Sequence, residues 1–256
     1  DLSSDFWLVK YDENGIKLWN QTVSNIQGLG VASDSSNNII VTGVDNLASD
    51  LFVIKYNSSG NQLWNSTFGG SGGDAGYNID VDSSDNIIVT GYTNSFGAGG
   101  ADVLTVKYDS EGVQLWNKTL GGSSADVGSG VVVDGSDNVI VAGYTYSFDV
   151  GVEDFWTIKY DSNGNYLWNQ TYGTDGRERA FDVVVDNSNN IFVTGYGDPT
   201  ATSNYEFLTV KYDSEGNQLW NDTLGGSEGD YAEGIAVDSS NNVFVLGYSY
   251  SFSDEP

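Results

Sequence analysis

One phrase of sixteen residues, written five times, constrains this chain more than any other feature. KYDSEGNQLWNDTLGG (211–226) restates KYNSSGNQLWNSTFGG (55–70) and KYDSEGVQLWNKTLGG (107–122). KYDSNGNYLWNQTYGT begins at Lys159 and KYDENGIKLWNQTVSN at Lys10. The five lysines stand 45, 52, 52 and 52 residues apart, and Asn20, Asn65, Asn117, Asn169 and Asn221 keep the same intervals. Asp34, Asp82, Asp134, Asp186 and Asp238 follow at 48, 52, 52 and 52, so the first copy is the short one. A long fixed period of this kind means supersecondary units that bury their apolar faces against one another.

Each unit holds four short runs rich in Val, Ile, Tyr, Phe and Trp; in the third copy they are DVLTVKY, VQLWNKTL, SGVVVD and NVIVAGYT. Runs of β-branched and aromatic residues of this length read as strands. DSEGV and DGSDN between them read as tight turns, Asp capping the backbone and Gly or Asn taking positive φ. No stretch shows helical periodicity, and there are only two prolines. Four antiparallel strands per unit predict an all-β chain, a five-bladed β-propeller. GIAVD and NVFVLGY near the C-terminus supply the inner two strands of a blade, and DFWLVKYD and IKLWNQT near the N-terminus the outer two. The expected last blade therefore joins 226–256 to 1–22. That pairing of N- and C-terminal strands would close the ring as one domain, 1–256, and truncating either end is expected to cost folding.

Composition narrows the chemistry. Thirty-six acidic residues against nine basic give a net charge of −27. Such a surface repels nucleic acid and anionic lipid and favours solubility and divalent cations. No apolar run approaches the roughly 18 residues of a membrane-spanning helix, and no charged-then-apolar leader opens the chain. Met is absent, so the sequence reads as a processed mature form or an excised piece. The absence of Cys removes disulfides, thiolate metal sites and cysteine nucleophiles. The absence of His removes the commonest general base. No residue stands out as a catalytic candidate, and a non-enzymatic role is expected.

LWNKTLGGSSADVGSGVVVDGSDNVIVAGYT resembles the beta-propeller repeat (SBBP) of secreted and cell-surface proteins of archaea and bacteria. The shared pattern is Trp, then Gly-Gly-Ser, then Val-Asp with a polar turn, then VTGYT. It runs over essentially the whole chain, least in the first copy, where VSNIQGLGVASD lacks Gly-Gly-Ser. The resemblance implies an extracellular or surface-exposed structural, adhesive or binding module, with no shared catalytic residues. A looser similarity, of KYDSNGNYLWN to the D-x-x-T-G-x-x-x-W repeat of quinoprotein-type propellers, implies a third and enzymatic reading.

A four-stranded meander divides its turns between two ends. Turns such as DSSDN and DSEGN are short and nearly identical between copies, whereas loops such as GGSGGDAGY and YTNSFGAGGAD are longer and diverge. Divergent loops on a rigid scaffold are where binding lives. They carry Tyr92 and Phe96; Tyr144, Tyr146 and Phe148; Tyr196; and Tyr248, Tyr250 and Phe252. Such rings suit sugar stacking, as in a lectin-like propeller, a protein partner, or packing between blades. The expected partners are further copies of the chain, in filaments for instance, other surface proteins, or glycans.

The recurrent lysines, with Asp5, Asp50, Asp102, Asp154 and Glu206 opening their strands, are expected to form inter-strand or inter-blade ion pairs. Calcium is the one cofactor with candidate ligands: Asp82, Ser83 and Asp85, or Asp134, Ser136 and Asp137, in the short turns. The Gly-Gly-Ser loops add Asp74, Asp126, Asp175 and Asp230. Neither set has EF-hand spacing, and Asp-x-Ser-x-Asn is more often a capped turn, so no metal site is assigned. Arg177 and Arg179, the only arginines, are too few for the carboxylate clamp of a sialidase.

Asn-x-Thr is also the N-glycosylation acceptor. It recurs at Asn20, Asn65, Asn117, Asn169 and Asn221 on the expected outermost strand, and Asn57 opens a sixth sequon in a turn. Period-two alternation puts Trp64 on one face and Asn65 and Thr67 on the other, so packing and glycan attachment are compatible. Because duplication copies residues regardless of use, the five sequons count as one observation.

Overall fold

The structure, a computed structural model, describes residues 5–148, 152–198 and 204–250, and within them every regular element is a β-strand. Phe252 lies outside the described residues. A hairpin, β1 (Phe6–Tyr11) and β2 (Lys17–Val23), comes first. Four four-stranded antiparallel meanders follow. They are β3 (Ile26–Ser33), β4 (Ile39–Asp45), β5 (Asp50–Tyr56) and β6 (Gln62–Phe68); then β7 (Asp74–Val81), β8 (Ile87–Thr93), β9 (Asp102–Tyr108) and β10 (Gln114–Leu120). Next come β11 (Asp126–Val133), β12 (Val139–Thr145), β13 (Asp154–Tyr160) and β14 (Tyr166–Tyr172), and then β15 (Glu178–Val185), β16 (Ile191–Gly197), β17 (Glu206–Tyr212) and β18 (Gln218–Leu224). A second hairpin, β19 (Asp230–Val237) and β20 (Val243–Ser249), ends the described chain. The four-stranded meanders are propeller blades, and the first and last hairpins are two-stranded sheets of their own.

The strands fall into two compact units: β1–β10 in the first, apart from Asp102 and Leu120, and β11–β20 in the second. The core of each is built from the second and third strands of its blades. Ile87, Val89, Leu104 and Val106 are fully buried in the first unit, as are Ile140, Ile191, Val193 and Val210 in the second. These strands are covered on both faces and so read as continuous apolar runs, whereas the fourth strands alternate.

The two turn types have separate chemistry. In the turn after the first strand, Asp82 accepts from the backbone N–H groups of Ser84 and Asn86, and Asp85 takes φ 61°. Asn37, Asp137, Asn189 and Asn241 take the same left-handed position in their copies. In the turn after the third strand that position belongs to glycine: Gly15, Gly60, Gly112, Gly164 and Gly216.

Four of the repeated lysines form the expected inter-strand ion pairs, though not with the acids that open their strands. Lys55, Lys107 and Lys159 reach Asp34, Asp82 and Asp134 at 2.8, 2.7 and 2.8 Å, and Lys211 lies 3.9 Å from Asp186. The partner is the aspartate capping the first turn of the same blade, because antiparallel pairing brings that end of the third strand beside the turn between the first two. Burial raises the Asp82 pKa, but hydrogen bonds from Lys107 and Asn86 outweigh it and leave it lowered. Asp134 behaves alike through Lys159 and Asn138. Their oxygens are committed to turn and ammonium, which speaks against the turns as calcium loops.

Consecutive blades within a unit are joined by the Trp of the repeat. Trp64 donates from Nε1 to the Ser110 carbonyl at 3.0 Å, the same oxygen that Lys55 Nζ reaches at 3.0 Å. Trp19 with Lys10 does this to Ser58, and Trp168 with Lys159 to Ser214. The indole lies against the turn glycine: a Cβ on Gly112 would come within 2.7 Å of Trp64.

Candidate functional site

The loops opposite the Asp-capped turns carry the aromatic residues singled out above, and their fates differ. Phe96 packs on Phe68 with ring centroids 5.5 Å apart, and Phe148 on Trp156 at 5.3 Å. Both shield the blade beneath them while keeping one face in solvent. Tyr92, on β8, pairs with Tyr77 at 5.6 Å. In the second unit the remaining tyrosines gather.

Tyr144, Tyr196 and Tyr248 hold one repeat position, the tyrosine of GYT or its variants at the end of the second strand. Register sets Val127, Arg179 and Tyr231 across from them on the first strands. Arg179 lays its guanidinium over the Tyr144 ring, 4.1 Å from the centroid, and grips Glu153 with two bonds, Nε–Oε1 at 3.2 Å and Nη2–Oε2 at 3.0 Å. Tyr196 donates its hydroxyl to Glu153 Oε1 at 3.1 Å. Glu153 is fully buried, and these bonds satisfy its carboxylate oxygens. Burial lowers the Arg179 pKa, but the bonds to Glu153 prevail and raise it, so the guanidinium stays charged. Burial and then Glu153 raise the Tyr196 phenol. It therefore remains a proton donor in hydrogen bonds at physiological pH.

From Tyr196 an aromatic array runs outward. Its ring lies 4.8 Å from Tyr205 and 5.1 Å from Tyr231. Tyr231 stacks on Tyr248 at 5.1 Å with planes 24° apart, and Tyr248 meets Tyr250 edge-on at 5.6 Å. The inner rings are half-buried, whereas Tyr248 and Tyr250 are exposed. Tyr146 joins from the other side, edge-on to Tyr144 at 6.0 Å. The structure thus unites Tyr144, Tyr146, Tyr196, Tyr248 and Tyr250, and leaves Tyr92, Phe96 and Phe148 in local packing pairs.

The residues that organise the array, Glu153, Arg179, Tyr205 and Tyr231, were not among the candidates. Their signal lay in departures from the repeat. Glu153 and Tyr205 stand where other copies have Ser49 and Ala101, and Arg179 and Tyr231 where they have Ala75 and Val127. Chemically the cluster offers a neutralised buried ion pair, phenolic donors and exposed π-faces, which suits binding.

For cations, no group of three or more His, Cys, Asp or Glu gathers among the described residues. Asp74, Asp126 and Asp230 instead hold their own loops, each Oδ2 accepting the N–H of Gly70, Gly122 or Gly226 four residues earlier. Glu178, not Asp175, does this in the fourth copy, through Thr174. The acids opening the third strands sit beside these: burial raises Asp50 and Asp102, and the neighbouring carboxylates Asp74 and Asp126 raise them further. Of the sequon asparagines, Asn20, Asn65, Asn117 and Asn221 are exposed on fourth strands. Asn169 accepts from Trp156 Nε1 at 3.2 Å and is half-buried, while Asn57 caps its turn through Ser59 and Asn61.

The blades and their repeated joints define a repeat protein of propeller fold. Residues 224–252 match the family model of the beta-propeller repeat, SBBP. An uncharacterized WD repeat-containing protein of Acanthamoeba polyphaga mimivirus is 27% identical over 91% of this chain, which spans 16% of that relative's length. Among solved structures, hydrazine synthase of Kuenenia stuttgartiensis has a TM-score of 0.65 at 12% identity, covering 91% of this chain and 64% of its own. The Dos1 propeller scores 0.54 at 13% identity, covering 94% and 64%. A gluconolactonase of Xanthomonas campestris scores 0.52 at 11% identity, covering 93% and 75%. These likenesses show the fold alone.

Proposed function

We propose that this chain is a non-enzymatic adhesive module of a secreted or cell-surface protein, and that the tyrosine array of the second unit is its contact surface for carbohydrate. The observation that carries this reading is that the array breaks the repeat. Scaffold residues recur in every copy, whereas Arg179, Tyr231, Glu153 and Tyr205 occur once and build one cluster. A single cluster of exposed rings beside hydrogen-bonding phenols matches a sugar ring, with its apolar face and equatorial hydroxyls. The acidic composition and the beta-propeller repeat support an extracellular setting, where glycans on the exposed sequons of the fourth strands would blunt edge pairing.

The test is a glycan-array screen followed by titration of the best ligand against intrinsic fluorescence. Tyr248→Ala and Tyr250→Ala are expected to weaken binding about tenfold or more each, on the scale of about 1–2 kcal/mol for one aromatic contact. Tyr92→Ala is expected to leave it unchanged. Equal loss from all three, or binding to no glycan at all, would defeat the assignment of the array to carbohydrate.

A further inference from the structure

In two copies of the repeat, a phenylalanine from the long loop after the second strand covers the apolar face beneath it. The loop after β8, residues 94–101, brings Phe96 onto Phe68 at the end of β6. The loop after β12 brings Phe148 onto Trp156 of β13. The tips of the two rings lie 3.3 and 3.5 Å from where a Cβ on Gly70 or Gly122 would stand, so one glycine position of the repeat makes room for both.

Both covering loops are cut short where the β1–β2 hairpin meets β3–β6. Residues 24–25 join β2 to β3, against 69–73 between β6 and β7, and residues 46–49 join β4 to β5 in place of 94–101. Neither short loop has a phenylalanine, and Leu47, the one large apolar residue in them, is 79% exposed. A groove of about 560 Å³ stands open there. Val23, Phe52 and Ile54 form its apolar wall, Val23 and Phe52 being the counterparts of Phe68 and Trp156, and Leu47 and Asp45 line it from the short loop. The groove is preformed: Asp45 accepts the Leu47 N–H at 2.8 Å, and the Asn46 N–H donates to the Asn25 carbonyl at 2.9 Å.

The groove also contains an attachment point. Register sets Asn65 against Ile54 and Thr67 against Phe52, so the Asn and Thr of one sequon line it beside the apolar wall, and both are exposed. The volume falls within the about 300–1,000 Å³ of small-ligand sites. An apolar wall edged by Asp, Asn and Thr suits a pyranose, which has an apolar face and a rim of hydroxyls. A covalent tether one side chain long supplies an effective concentration of the order of millimolar, so a contact too weak to hold a free sugar holds a linked one. Other sequons are placed differently. Asn169 accepts from Trp156 Nε1, Asn57 caps its turn, and Asn117 holds the repeat position of Asn65 in the copy whose loop carries Phe96.

We propose that the groove seats the first pyranose of an N-glycan on Asn65, which takes the place that Phe96 and Phe148 fill in later copies. The inference rests on reading the fourth-strand sequons as used acceptors, and it is independent of the tyrosine array. The sugar on Asn65 is thereby a packed part of the junction between β1–β2 and β3–β6, whereas those on Asn20 and Asn117 stand free in solvent.

The test uses the full chain secreted from a host that attaches oligomannose glycans to Asn-x-Thr. Release by peptide N-glycosidase under native conditions is followed at each site by mass spectrometry of the sequon peptides. The enzyme acts on the unseated sugar, so release at Asn65 is expected to be about tenfold slower than at Asn20 or Asn117, as a seated state favoured about ten to one requires. After denaturation the three sites are expected to be released alike. Leu47→Ser changes an exposed side chain and is expected to bring release at Asn65 to the rate at Asn117, with Asn20 unaffected. Slow release that Leu47→Ser does not change would place the protection outside the groove and overturn the seat. Equal native rates at the three sites, or a bare Asn65 beside modified Asn20 and Asn117, would overturn the seat and leave the glycosylation reading standing. Three bare sites would remove both.

Discussion

Lys159 shows how a buried charge is held at the scale of one residue. Its ammonium meets Asp134 at 2.8 Å and the Ser214 carbonyl at 3.2 Å, while Asp134 also anchors Ser136 and Asn138. One side chain therefore fixes a turn in its own blade and a turn in the next. Removing one member of such a pair strands the other without water, so Lys159→Met is expected to cost about 3–5 kcal/mol in denaturant unfolding. Adding Asp134→Asn, which keeps an acceptor for the turn, is expected to recover part of that loss. A double variant less stable than the single one would show that the cap, not the ion pair, dominates.

At the scale of the element, the Trp joint makes the same residue type costly or harmless according to what lies above it. Gly112→Ala introduces a Cβ at φ 84° and drives it into Trp64, whereas Gly15→Ala meets open space at φ 79°. Left-handed backbone alone costs a non-glycine residue about 1–2 kcal/mol. Thermal unfolding of dilute protein is therefore expected to fall further for Gly112→Ala than for Gly15→Ala, and equal losses would deny the joint its weight. Elements of this kind were legible in the sequence because each repeats. The strands, the Asp-capped turns and the Trp–Asn alternation are all readable from five copies of one phrase. Which aspartate each lysine meets was not legible because Asp50 and Asp34 both lie within a blade of Lys55, and only the register decides between them. Glu153, Arg179, Tyr205 and Tyr231 were hidden for the opposite reason: repetition directs the reader to what recurs, and the array is built from what does not.

Across the whole molecule, two sets of carboxylates are shifted in opposite directions. Asp34, Asp82, Asp134 and Asp186 are held below the ordinary carboxylate value despite burial, by Lys and Asn partners. Their contribution is complete above the unfolded-state value and is lost as pH falls through the folded one. Asp50, Asp102, Glu178 and Asp182 are raised, chiefly by burial. They bind protons more tightly folded than unfolded, so their contribution is present at low pH and is lost as pH rises through their raised values. The melting temperature is accordingly expected to pass through a maximum on the acid side of neutrality. Asp102→Asn is expected to raise stability at neutral pH and flatten the upper limb, and a lower melting temperature at pH 7 would contradict the burial of an uncompensated charge there.

The concealed ammonium groups also govern how the outside world can cut or tag this chain. Trypsin and amine-directed reagents recognise Lys and Arg, and the chain has nine such residues in 256. Lys55, Lys107 and Lys159 are sealed inside blades, so a digest of the native fold is expected to start from the other six, with Lys17 and Arg177 the exposed ones. A sheath of Asp, Asn, Ser and Gly turns over these three lysines is expected to keep trypsin from them without a single cross-link.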